Sequence, residues 1–183
     1  MSPTVITAAA VVLFLVFVWF LYNSLITARV RVREAWSGIE VQLKRRWSLI
    51  PNLIETVKGY TKHERAVFEN VTQARSALLS AKNPKAAAAA DNMLTGALKT
   101  LFAIAEDYPK LRASENFKEL QQELSDTETK IAASRQFYNA NVADYNTKIK
   151  VFPNVILAGL LDFREEEFFD AEAEAEKEVK VDF

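Results

Sequence analysis

Apolar positions along this chain fall into two patterns. From Val5 to Tyr22 they are nearly continuous, VITAAAVVLFLVFVWFLY, and no charged side chain precedes Arg29. From there to about residue 150 they recur at every third or fourth position, with polar and charged residues between. At 1.5 Å of rise per residue, about 20 apolar residues cover the roughly 30 Å hydrocarbon core of a bilayer, so the first pattern predicts a transmembrane helix. The second is the signature of amphipathic helices, and no stretch sustains the two-residue alternation of a strand. The expected fold class is all-α, an N-terminal transmembrane helix followed by an antiparallel bundle of three to four long helices.

The flanks of the apolar run distinguish an anchor from a cleaved signal. A signal peptide needs a basic start and a small-residue cleavage site after its apolar core. Here the alanines 8–10 precede the most apolar part, and Trp19, Phe20 and Tyr22 follow it, as interfacial aromatics do. Arg29, Arg31 and Arg33 come next, with no Lys or Arg before the run, which predicts an N-terminus outside and a cytosolic C-terminal domain. The expected organisation is an anchor over 1–28, a helical bundle over 29–161 and an acidic tail over 162–183.

Within the bundle, the first stripe reads Val32, Trp36, Ile39, Leu43, Trp47, Ile50, Ile54 and Val57, with no Gly or Pro separating it from the anchor until Gly38. Pro51 removes the hydrogen bond to the Trp47 carbonyl and predicts a kink or a break. The periodicity resumes through Leu53, Tyr60, Phe68, Val71, Ala74 and Leu78, and Asn83-Pro84 ends it. An alanine-rich helix from Lys85 to Ala105 is stopped by Tyr108-Pro109. A third run from Ser114 carries Phe117, Leu120, Leu124, Thr127, Ile131, Tyr138, Val142, Tyr145 and Ile149, and closes at Phe152-Pro153. The segment 155–163 is apolar but too short to span a bilayer, and it reads either as a docked helix or as part of a mobile tail.

Charge changes the picture more than overall composition does. The net charge is −1, but residues 162–183 carry −7, which leaves +6 on the rest. A basic body beside a membrane attracts anionic headgroups at about 1 kcal/mol per Lys or Arg. Nucleic acid is not an expected partner, because no aromatic-interleaved basic platform appears. The absence of cysteine excludes disulfides and thiolate metal sites.

Few residues invite a chemical reading. His63-Glu64 begins like the zinc motif HExxH, but the second histidine position holds Val67. A surface or structural histidine is the expectation, with no metal, cofactor or small-molecule substrate. Arg45-Arg46 interrupts the apolar stripe; the simple reading is a pair of snorkelling stems with solvated heads. The sharper one is a buried pairing with Glu55, Glu64 or Glu128. Tyr138-Asn139 and Tyr145-Asn146 repeat at seven residues, near Arg135, so tyrosines and asparagines each align along the helix. Either the amides form a polar layer inside the bundle, or the tyrosines pack while the asparagines face water. Pro51-Asn52 is a kink that fits the packing or a hinge.

Several blocks together carry a family resemblance: Tyr22 to Leu25, VQLKRRWSLIPNLIETVKGYTKHE over 41–64 with its Tyr60, ENF over 115–117, TETKIAASRQFYNANVADYN over 127–146 and FPNVILAGLL over 152–161. They closely resemble the LemA family. The resemblance implies a bacterial inner-membrane protein with one N-terminal span and a helical bundle, and some relatives look like components of magnetosome membrane formation. Relatives generally carry Asp before Leu-Ile-Pro-Asn where this chain has Trp47-Ser48, leaving Ser48 a single hydroxyl for any polar role there. The leading functional expectation is a non-enzymatic membrane-anchored scaffold whose cytosolic bundle binds other proteins, its own copies or the membrane surface. Membrane shaping by self-assembly and regulation of a membrane enzyme are the other two.

Overall fold

The computed structural model describes residues 2–61 and 64–169. Among them are six helices and no strand: α1 (Pro3–Lys58), α2 (Arg65–Ser80), α3 (Pro84–Ala105), α4 (Pro109–Ala113), α5 (Glu115–Lys150) and α6 (Asn154–Leu160). They form two compact units, Met1–Trp36 with Phe137–Glu166, and Ser37–Gln136 with Glu167–Phe183. Helices α1 and α5 each contribute to both.

The second unit is an antiparallel bundle of α1, α2, α3 and α5 with short connections. Lys58 lies over the Phe68 ring and Arg75 over the Trp47 ring, so α2 runs back along α1. The α3 helix reverses again, and its Phe102 meets Phe117 near the start of α5 with ring centroids 6.0 Å apart. Its N-terminus forms because Asn83 Oδ1 accepts the Ala86 N–H at 2.7 Å while Pro84 occupies the first turn. The short α4, not anticipated from the sequence, occupies the link after Tyr108 and buries Leu111.

Burial along α1 recurs at three and four residues through Leu25, Ala28, Val32, Ala35, Ile39, Leu43, Arg46, Ile50, Leu53 and Val57. The expected stripe was therefore one residue out of phase in places: Trp36, Trp47 and Ile54 are half-buried on its flank. The indole of Trp36 packs on the Tyr138 ring, and that of Trp47 lies under the Arg75 guanidinium. In α5 the expected seam holds, with only Leu120 left half-buried.

Of the kink or break expected at Pro51, the break does not occur. Helix α1 continues through it to Lys58 and ends where the bonding pattern shortens, Gly59 N–H to the Glu55 carbonyl and then Tyr60 N–H to the Val57 carbonyl. The reason is tertiary: the Trp47 carbonyl that Pro51 leaves without a donor accepts instead from Arg75 Nε at 3.1 Å.

In the first unit, α1 begins with side chains exposed from Ser2 to Phe20 except half-buried Val18. This stretch is long and apolar enough to cross a membrane. From Leu25 onward α1 packs against α5, with the Trp36 and Tyr138 rings 5.6 Å apart. The apolar segment after Pro153 is α6, not a loose tail. It buries Ala158 and ends at Asp162, whose φ of 54° is the left-handed turn that lets Phe163 N–H reach the Ala158 carbonyl at 3.0 Å.

Candidate functional site

Two polar clusters, one in each unit, are built around Arg46 and Asn146. In the second unit, Arg46 lies on the inward stripe with its side chain only 3% exposed. Its Nη1 donates to Asp91 Oδ1 at 2.7 Å, its Nη2 to Thr95 Oγ1 at 2.9 Å, and Glu128 Oε2 stands 3.9 Å away. The snorkelling reading therefore fails for Arg46, because α3 and α5 enclose the guanidinium. Arg45, one position round the helix, is exposed and stands 4.0 Å from Glu123.

Of the three acids expected as partners, Glu128 is in place, but the principal one is Asp91. Asp91 sits in the α3 stripe of Ala87, Leu94, Leu98, Leu101 and Ala105, and a carboxylate at such a position was the overlooked signal. Burial pushes its carboxyl above the usual range, against the pull of Arg46 and, more weakly, Arg135. A cleft of about 200 Å³ opens beside the pair, lined by Arg46, Thr95, Lys99, Phe102, Ser125 and Glu128. The arrangement ties α1, α3 and α5 to one another through Arg46.

Arg75 was also missed, and it is coupled to Pro51 through the Trp47 carbonyl and ring. Asn52 is exposed beside Asn116 and Glu119, and Tyr60 is exposed as well. Ser48 turns its hydroxyl back to the Arg45 carbonyl at 2.8 Å. Glu64 accepts a hydrogen bond from the Tyr108 hydroxyl at 3.3 Å, not from an arginine. His63 lies outside the described residues. Arg135 stacks over the Phe169 ring at 5.1 Å, and Phe169 is 1% exposed.

In the first unit, Tyr138 and Tyr145 are core residues, Asn139 is half-buried and Asn146 is buried. Asn146 Nδ2 donates to the Glu166 carbonyl at 3.0 Å, and its Oδ1 accepts the Glu166 N–H at 2.9 Å. Both sequence readings were thus half right: the tyrosines pack, and one asparagine is buried, but its partner is the chain after α6. The same segment brings Glu166 to 3.6 Å from Arg29, whose guanidinium lies 6.0 Å from the Phe163 ring, and Glu165 to 2.8 Å from Lys150. Trp19, Tyr22, Arg31 and Arg33 are exposed. The start of the acidic tail therefore folds onto part of the basic collar; residues 170–183 lie outside the described residues. Burial pushes the Tyr145 phenol above its ordinary value; Arg29 lowers it and Glu166 raises it.

An apolar stretch at the start of α1 long enough to cross a membrane, together with an antiparallel bundle of helices, defines an all-α protein with a candidate membrane helix. The chain belongs to the LemA family, whose pattern matches residues 35–183. It is 26% identical over 190 residues to the magnetosome protein MamQ of Magnetospirillum gryphiswaldense, covering 90% of this chain and 70% of that one. A LemA protein of Metamycoplasma hominis is 28% identical over 153 residues, covering 81% of this chain and 68% of its own.

Proposed function

We propose that this protein is a membrane-anchored, non-enzymatic scaffold whose cytosolic bundle binds other proteins or further copies of itself. The observation that carries the reading is the 56-residue α1, which passes without interruption from an exposed apolar stretch into the buried seam of the bundle. Arg29, Arg31 and Arg33 just after the span support an N-terminus outside and a bundle in the cytosol of a bacterial inner membrane.

The expected outcome of cross-linking full-length protein in native membranes, followed by mass analysis after solubilisation, is a stoichiometric partner or a self-assembly. A strictly monomeric, partnerless species overturns the reading. Sidedness is tested by single cysteines at Ser2 and Gln121 and a membrane-impermeant maleimide. Labelling of Gln121→Cys in intact cells would reverse the topology.

The likeness to proteins named for the magnetosome favours a second reading, lateral self-assembly that organises or bends the bilayer. Vesicles reconstituted at high protein density would then change size or shape, and unaltered vesicles reject it.

A further inference from the structure

The geometry points to a second membrane contact in this chain: the outer face of α6 and the turn before it, seated in the lipid headgroup and upper acyl region beside the anchor. Phe152, Val155, Ile156, Leu160 and Leu161 are 80%, 44%, 57%, 79% and 50% exposed, while Ala158 on the opposite side is buried. Val155, Ile156 and Leu160 in α6 and Leu161 just after it occupy the wide arc opposite Ala158, and Phe152 stands in the turn before the helix, so α6 presents apolar side chains outward. An apolar face of this kind marks an interaction surface.

The level of the face along α1 identifies what covers it. Phe163, which bonds back to the end of α6, has its ring 6.4 Å from that of Tyr22 and 6.0 Å from the guanidinium of Arg29. Those two residues are separated by about 10 Å of helix at 1.5 Å per residue, and they bracket the end of the apolar span. The antiparallel register says the same. Trp36 meets Tyr138, so following α1 back and α5 forward brings Lys150, where α5 ends, near the level of Ser24. Where Tyr22 lies at the water–lipid boundary, α6 lies there too.

The occupant is therefore the bilayer itself, continuous with the lipid around the anchor. Amphipathic segments at that depth bury their apolar face about 5–10 Å into the headgroup and acyl boundary. Contact by apolar insertion also fits the local charges. Lys150 pairs with Glu165 and Arg29 with Glu166, so two cations beside α6 are already countered by acids of the tail. Insertion does not require anionic lipid.

This inference rests on the reading of α1 as an anchor, and the test separates the two. The chain has no cysteine, so single cysteines at Phe14, Ile156, Leu160 and, as an aqueous reference in the bundle, Gln121 can each carry an environment-sensitive fluorophore. The full-length protein is reconstituted in phosphatidylcholine vesicles, with nitroxide-labelled lipid as one quencher and iodide on both sides of the membrane as the other. The expected result is quenching by the nitroxide lipid and shielding from iodide at Phe14, Ile156 and Leu160, with Gln121 the reverse. Lipid quenching at Phe14 with iodide quenching at Ile156 and Leu160 overturns the inference and leaves the anchor standing. Shielding of Ile156 and Leu160 from both quenchers also overturns it, because protein would then cover the face. Failure of the lipid quencher at Phe14 removes the anchor, and the inference with it.

Discussion

Arg75 Nε–H points at the main-chain carbonyl of Trp47, 3.1 Å away, while the Arg75 guanidinium lies 5.2 Å from the Trp47 ring. That carbonyl is the one an ordinary residue at position 51 would bond; Pro51 has no N–H to offer. A side chain from α2 thus completes the hydrogen bonding of α1, and the proline becomes tolerable in mid-helix.

Replacing Arg75 by Leu should cost about 1–3 kcal/mol, the penalty for an orphaned carbonyl. In a Pro51→Ala background the alanine N–H can satisfy Trp47, so the same replacement should cost clearly less. Urea unfolding of the four proteins measures the coupling. Strictly additive penalties would show that Arg75 acts through the indole ring alone.

Arg46→Met leaves the buried Asp91 carboxylate without its main partner, and about 3–5 kcal/mol of destabilisation is expected. The double variant Arg46→Met with Asp91→Leu should recover most of it, since two apolar side chains can replace a buried pair. Thermal midpoints of the two variants decide the matter; a double variant as unstable as the single one rejects this account.

Asn146→Leu removes both bonds to the Glu166 backbone. Amide exchange over residues 163–169 should accelerate, and stability should fall by about 1–3 kcal/mol as buried backbone groups lose their partners. Unchanged exchange there would mean that Phe163 and Phe169 alone hold the segment.

The Tyr145 phenol is raised, foremost by burial, and this sets a pH dependence. A phenol harder to ionise in the folded state contributes stability that is complete below the ordinary tyrosine value of about 10 and is lost as pH rises through the folded value. The difference in unfolding midpoint between wild type and Tyr145→Phe should therefore be flat from pH 7 to 9 and turn against the wild type in more alkaline solution. Parallel curves across the alkaline range would contradict it.

Local periodicity made most of the architecture legible. A continuous apolar run followed by three-and-four spacing determined a long helix and then a bundle, and the seven-residue steps from Phe117 through Tyr145 marked the α5 seam correctly. The LIPN and YN motifs marked the family; their contacts were not written in them.

The sequence by itself determined the long helical segments, their order and the membrane-length start, because these follow from chain-local spacing and the absence of charge. Tertiary structure decided which of two adjacent stripes on α1 turned inward, that Arg46 would find Asp91, that Arg75 would answer for Pro51, and that Asn146 would grip the chain at Glu166. Each of these depends on which distant group arrives at a given point, and a buried polar atom takes whatever partner the packing delivers.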